Sequence, residues 1–442
     1  MANDTVNKIF IVNENSIILA LLSSAIIGVA ISFSDFYLFH LILSILTIIW
    51  IYKFKENKYR LNLDIFSDNH VKVLIIVFLW YLTSLFWTPS LVLGLKYIFY
   101  LLCGIIITLS FINFSKNIEN LNKIFKILSF FITIEIIIAL AESFTSFRMP
   151  ISSYSSFAML FGKDPINFSE FGDIFIYSKI SPPTGFHWNT NDLAICMIIS
   201  LPFFLCSNKS SIKIIGVLTI TIIIIMTASR AAFLGLILIF SLYLILIKKR
   251  IGTLSLVWIA LFIFFLGMQQ LRESENPRIN EVANSIEALT LYLSGEIDVG
   301  GSLEWRRELV ENGLIAFSNS YGIGLGAGGS VSNQELIGPV AGRFTSMHNF
   351  WVELLVEGGV LVGIFIFFWL LSIIYKLFII SRTSRNQKLE YYSQSLFLSM
   401  TGFIPAAIAA SSTIYFFPMW IMFGFAISVI LLSKNQALII NN

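Results

Sequence analysis

A chain that carries one apolar stretch after another, each about as long as a bilayer is thick, has few folds open to it. Apolar runs lie near 16–33, 37–54, 71–87, 91–113, 122–142, 190–206, 212–228, 231–247, 252–270, 348–376, 394–412 and 415–433. Each suffices for the roughly 17 to 25 residues a helix needs to cross hydrocarbon, the tenth being somewhat longer. No water reaches backbone groups inside the bilayer, so such runs become helices rather than loops or open strands. The expectation is an all-α polytopic integral membrane protein of about 12 transmembrane helices. Composition agrees, because a 442-residue chain that is 57% hydrophobic and 12% charged, with mean hydropathy +0.83, has too little polar surface for a soluble globule.

Lysine and arginine set the orientation. With both termini cytoplasmic, nineteen of them fall on the inner side, from Lys8 to Lys434, and nine on the outer side, while Lys96 lies within a span. The positive-inside rule therefore agrees with twelve spans and both ends inside. The first run begins only near Ser16 and has no convincing small-residue cleavage site, so it is read as a retained helix. Five segments follow: 1–142 with five spans, an outer loop at 143–189, 190–270 with four spans, a large outer loop or lid at 271–347, and 348–442 with three spans. Within the lid, amphipathic helices are expected at about 280–294 and 303–318, followed by a glycine-rich turn.

The small net charge of +3 is dispersed among short loops, which leaves nucleic-acid binding without support. Cys103, Cys196 and Cys206 sit in apolar runs with neither a disulfide framework nor metal-ligand spacing. They read as small core or lipid-facing residues, and no metal is called for.

The outer cations carry a further signal. Seven of the nine are arginine, against four of the nineteen inside. Lysine suffices as a topological anchor, so arginine on the outer face points to planar, multi-donor recognition of phosphate or carboxylate. Pairing with local acids is the plain alternative, and it suits Arg272 and Arg278, which have Glu273, Glu275 and Glu281 close by.

Arg230 follows Thr227-Ala228-Ser229 in a short link between two nearly uncharged spans. Snorkelling to lipid phosphate is the ordinary role of such a residue, and binding a substrate phosphate is the sharper one. Lys96 sits only ~7 to 9 Å along its helix from the outer surface, at 1.5 Å per residue, close enough to join Arg230 about one anionic group. In Glu304-Trp305-Arg306-Arg307-Glu308, the i,i+4 spacing pairs Arg307 with Glu311 and leaves Arg306 as the better ligand. Arg343 lies later in the same lid. The run from Tyr321 to Gly329 has glycine at every second position at first, but no Gly-Lys-Ser/Thr follows, so it is a compact turn rather than a nucleotide loop. His348 and Asn349 open the tenth span, and Glu353 and Glu357 lie one turn apart on it. Acids placed there should face a polar cavity or a cation.

In their order, these elements resemble the bacterial O-antigen ligase and polymerase family. The resemblance rests on Thr227-Ala228-Ser229-Arg230 at the start of a span and on Arg306 ahead of a Gly-x-Gly-x-Gly turn. His348-Asn349 followed by Glu357-Gly358-Gly359 completes it, and Ser181 to Leu193 is similar to a segment found upstream in that family. It implies a GT-C-like glycosyltransferase in the bacterial inner membrane, acting at the periplasmic or outer face without cofactor. The donor would be an undecaprenyl-diphosphate-linked oligosaccharide, and partner proteins would include a chain-length regulator and a flippase. His348 and Arg306 become the catalytic residues, with Arg230, Arg306, Lys96, Arg307 and Arg343 binding the diphosphate and Glu357, Glu353 and Asn349 in support. A polymerase joining lipid-linked repeat units is favoured over a ligase that passes finished glycan to lipid A core or another terminal acceptor. A flippase or other transporter is the reading from another class; against it, the chain shows no internal repeat and its arginines gather on one face.

Overall fold

The computed structural model describes residues 14–55, 63–165, 181–250, 302–340, 345–410 and 414–441, with the single positions 252 and 412. In chain order the helices are α1 (Glu14–Ile27), α2 (Leu38–Lys55), α3 (Asn69–Thr83), α4 (Leu91–Phe114), α5 (Ile118–Phe144), α6 (Thr190–Leu205), α7 (Ser210–Met226) and α8 (Arg230–Leu242). They continue with α9 (Ser302–Asn319), α10 (Gly329–Ile337), α11 (Phe350–Thr383), α12 (Gln387–Ala406) and α13 (Phe417–Asn441). A two-stranded antiparallel hairpin, β1 (Ser32–Phe33) and β2 (Phe36–Tyr37), joins α1 to α2, with Ser32 opposite Tyr37.

Among the described residues, six stretches are long and apolar enough to cross a membrane: Asn69–Phe86, Leu91–Phe114, Ile118–Phe144, Arg230–Ile247, Phe350–Thr383 and Phe417–Asn435. Four shorter apolar helices match the expected first, second, sixth and seventh spans. The expected ninth span, 252–270, and the helix expected at 280–294 lie outside the described residues, as do Arg272, Arg278 and Arg343. The helix expected at 303–318 is α9.

Two elements differ from expectation in instructive ways. α12 starts at Gln387 rather than near 394, because Asn386 caps it by accepting from the Lys388 and Leu389 amides. α11 is capped by Asn349, which accepts from the Trp351 and Val352 amides, and it breaks at Gly359, where φ is 77° and ψ is 179°. The first piece of α11 is therefore a short helix carrying Glu353 and Glu357, and the second is the long apolar rod.

α13 is the enclosed helix: 83% of its apolar window is buried, whereas no other spanning window exceeds 56%. Small residues let neighbours approach closely, as is usual in membrane packing. A Cβ at Gly104 of α4 would fall 2.2 Å from the Trp420 ring of α13, and one at Gly424 would fall 2.8 Å from Phe111. Gly235 of α8 meets the Gly402 carbonyl of α12 in the same way. Outward faces stay apolar, with Leu361, Ile364, Phe367 and Phe368 of α11 exposed, a surface suited to acyl chains rather than to water.

Contacts between loops sort into two ends. At one end Ser34 N donates to Phe161 O, Thr88 Oγ1 to Ala327 O, Ala327 N to Ser84 Oγ, and Arg148 to Ser181 O. At the other, Lys376 meets His70 at 2.8 Å, Tyr392 donates to Asn122, and Arg382 donates to the Leu246 carbonyl.

Candidate active site

α9 decides which of two adjacent arginines faces the bundle. Leu309 and Ala316 are buried, and a Cβ at Gly313 would fall 2.7 Å from Met347 Sδ and 3.3 Å from Val356. Positions 309, 313 and 316 share one helical face, and 306 lies on it one turn earlier. Arg306 is accordingly half-buried, while Arg307 is exposed and donates from Nε to Glu311 Oε1 at 2.9 Å. The lid helix is thus laid against Met347 and the first turns of α11.

Arg230 is the first residue of α8. A helix N-terminus already carries partial positive charge and unpaired N–H groups, so a cation added there makes the site attractive to an anion. Thr227 and Ala228 form the turn before it: Thr227 Oγ1 donates to Ile224 O at 2.6 Å, and Ala228 takes a left-handed φ of 53°. His348 takes a similar φ of 47° immediately before the Asn349 cap. Left-handed backbone costs a non-glycine residue on the order of 1 to 3 kcal/mol, and such strain concentrates at functional sites.

Electrostatics tie these residues into one group. Burial, and then the charge of Arg230, push Arg306 down to about 10. Burial, and then the charge of Arg306, push the His348 imidazole down to about 4. Arg230 is therefore close enough to act on Arg306, and Arg306 on His348, which sets two cations near a neutral imidazole. This arrangement favours an anion of two or more charges beside a proton acceptor.

Other expected participants have different places. Lys96 pairs with Asp35 at the tip of the β1–β2 hairpin, Nζ to Oδ2 at 2.8 Å, with both side chains exposed. In this structure the hairpin acid is the partner described for it. Arg307 is occupied by Glu311, and Arg343 lies outside the described residues. Asn349 is the α11 cap. Glu357 is fully buried, takes a hydrogen bond from Ser330 Oγ at 2.6 Å on Oε1 and is approached by the Gly328 and Ser330 amides. It closes the N-terminus of α10, a favourable place for a carboxylate. Glu353 is equally buried, 3.5 Å from Tyr97 Oη. The two acids brace the lid from beneath.

The glycine run is a docking strap. Gly322, Gly324, Gly326 and Gly328 all have positive φ, and the strap threads between the α11 break and the α3–α4 turn. Leu325 N donates to Val356 O, Gly326 N to Glu357 O, and Val360 N to Gly322 O. Trp80 donates to Gly358 O at 2.9 Å and Trp87 to Gly324 O at 3.1 Å. A Cβ at Gly359 would fall 2.2 Å from Ile323 O, so glycine is required on steric grounds as well as by φ.

Sequence reasoning passed over Glu135 and Glu142, two turns apart on α5 and both buried. Glu142 accepts from the Met149, Thr184 and Gly185 amides at 3.0, 2.7 and 2.8 Å. Glu135 stands against His187 and Cys196. The Pro-Thr-Gly segment is held in place by these carboxylates. Their signal was present, since an acid inside a span is costly unless it is partnered.

The described residues form a helical protein with six stretches long and apolar enough to cross a membrane, and they bring Arg230, Arg306 and His348 near one another beneath α9. Residues 215–368, which contain Arg230, Arg306, His348 and the glycine strap, match the family described as O-Antigen ligase. Over that stretch the chain is similar to the O-antigen ligase family. It is also 24% identical over 446 residues to the teichuronic acid biosynthesis protein TuaE of Bacillus subtilis (strain 168), across 92% of this chain and 81% of that protein.

Proposed function

We propose that this protein is a polysaccharide polymerase that transfers a glycan from undecaprenyl diphosphate to a sugar hydroxyl of another lipid-linked repeat unit at the outer leaflet. The observation that carries the proposal is the proximity of Arg230 to Arg306 and of Arg306 to His348, each lowering its neighbour's proton affinity. The two arginines bind the donor diphosphate and take up the charge that develops on it as the bond to the sugar breaks. The acceptor oxygen attacks C1, the C1–O bond to phosphate breaks, and His348 takes the hydroxyl proton. A single displacement of this kind inverts the anomeric centre and needs neither nucleotide nor added metal.

His348 is a weak base with the charge of Arg306 beside it. A bound diphosphate offsets that charge and raises the basicity of the imidazole, so the base strengthens when the donor is in place. Twelve spans with both termini inside suit this reading, and the two-ended sorting of loop contacts supports it. The described chain leaves one end at Arg250 and resumes with α9 at the other. The relative named for teichuronic acid biosynthesis supports a role in polysaccharide assembly.

The purified protein, supplied with lipid-linked repeat units alone, should produce a ladder of longer lipid-linked glycans. If glycan moves only when lipid A core is supplied, the ligase reading replaces the polymerase. If units cross a vesicle membrane and no glycosidic bond forms, the protein is a transporter.

A further inference from the structure

Among the described residues, one further group of chemistry-bearing side chains takes no part in the displacement above. Glu135 of α5, His187 in the loop before α6, and Cys196 of α6 bring a carboxylate oxygen, an imidazole nitrogen and a thiol sulfur within 4.8 Å of one another. His187 Nε2 lies 3.0 Å from Glu135 Oε1, and Cys196 Sγ lies 3.4 Å from Glu135 Oε2. The three residues are 6%, 1% and 0% exposed for His187, Cys196 and Glu135 respectively, so water does not solvate them.

Two observations separate this group from a plain ion pair. His187 Nε2 is close to the carboxylate but off the hydrogen-bonding line, and it has no hydrogen-bond partner among the described residues. Asp192, in the first turn of α6, also buries an Oδ1 with no hydrogen-bond partner, and its charge acts on His187. A buried polar atom left without a partner is costly, so a group that keeps Asp192 Oδ1 unmet and His187 only loosely paired has something to gain from a ligand. Glu142, on the same helix, makes the contrast clear, because its carboxylate is filled by backbone amides.

We propose that Glu135, His187 and Cys196 bind a Zn²⁺ ion that clamps the 181–189 loop to α5 and α6. Sulfur, imidazole nitrogen and carboxylate oxygen together suit zinc and disfavour magnesium or calcium, which take oxygen. With zinc bonds of about 2.0 to 2.3 Å, the edges of a tetrahedral site run to about 3.3 to 3.6 Å, so small side-chain shifts would bring these atoms, now within 4.8 Å of one another, onto one ion. Charge also balances: thiolate and carboxylate together neutralise the dication, which lets it be buried. On binding, zinc displaces the thiol proton of Cys196, which leaves to solvent. The ion holds the loop and does not enter the displacement.

The full-length protein, purified in detergent without a metal-affinity step, incubated with zinc chloride and gel-filtered, should retain about one zinc per chain by elemental analysis. Cys196→Ala and His187→Gln should lose it, and Cys103→Ala and Cys206→Ala should keep it. Cobalt exchanged into the wild-type protein should show a thiolate-to-cobalt charge-transfer band, a readout that needs no variant to fold. Wild-type protein that holds no zinc, or cobalt bound without a sulfur band, would overturn the proposal. Both readings are independent of glycan transfer, so failure of the polymerase reading leaves them unaffected.

Discussion

Arg306 and Arg307 are neighbours in sequence with different fates, and the reason is helical geometry rather than chemistry. Arg306 shares the face of Leu309 and Gly313, and Arg307 meets Glu311 in the open. Arg306→Ala should reduce transfer by about a hundred- to a thousand-fold, as loss of a transition-state donor does. Arg307→Ala, which removes an exposed pair worth under about 1 kcal/mol, should leave initial rates within a few-fold. His348 makes a pH prediction. The base works deprotonated, so kcat/KM, which reports the free enzyme, should fall only as pH drops toward about 4. The acid limb of kcat should sit at higher pH, because bound diphosphate offsets Arg306. Arg306→Ala should move the kcat/KM limb upward as well. Coincident limbs at the ordinary imidazole value would contradict this coupling. The choice of Arg306 was legible in the sequence from one i,i+4 spacing. The pairing of Lys96 with Asp35 was not legible, because Asp35 lies in a hairpin 61 residues away and no local pattern announces such a contact.

At the scale of elements, the decisive feature is the break in α11. The strap of alternating glycines packs backbone to backbone against Gly358 and Gly359, with Trp80 and Trp87 tying it to the α3–α4 turn. Gly359→Ala combines a disfavoured φ with a Cβ directed at the Ile323 carbonyl. It should lower thermal stability by about 2 to 4 kcal/mol, seen as a lower Tm and less monodisperse protein. An unchanged Tm would show that the strap is not seated there. Helix existence was legible from hydropathy, because length and apolarity are local properties. The break was not, since a glycine pair inside an apolar run reads equally well as a close helix contact. Nor was the metal-ligand set, because positions 135, 187 and 196 make no linear motif.

Across the whole molecule, the account requires the lid, the 143–189 loop and Arg230 to share the outer side. The three native cysteines are buried, which keeps the labelling background low. Asp164→Cys should react with an impermeant maleimide in intact cells, and Lys388→Cys only after permeabilisation; the reverse pattern would invert the topology. The central claim is that Arg230, Arg306 and His348 act on one donor, and transfer kinetics on purified protein with lipid-linked repeat units test it most directly. Arg230→Ala, Arg306→Ala and His348→Ala should each lose about a hundred-fold or more, and the double arginine variant should lose less than the product of the singles, because both grip one diphosphate. Any one of the three single variants extending glycans within a few-fold of the wild-type rate would contradict the account.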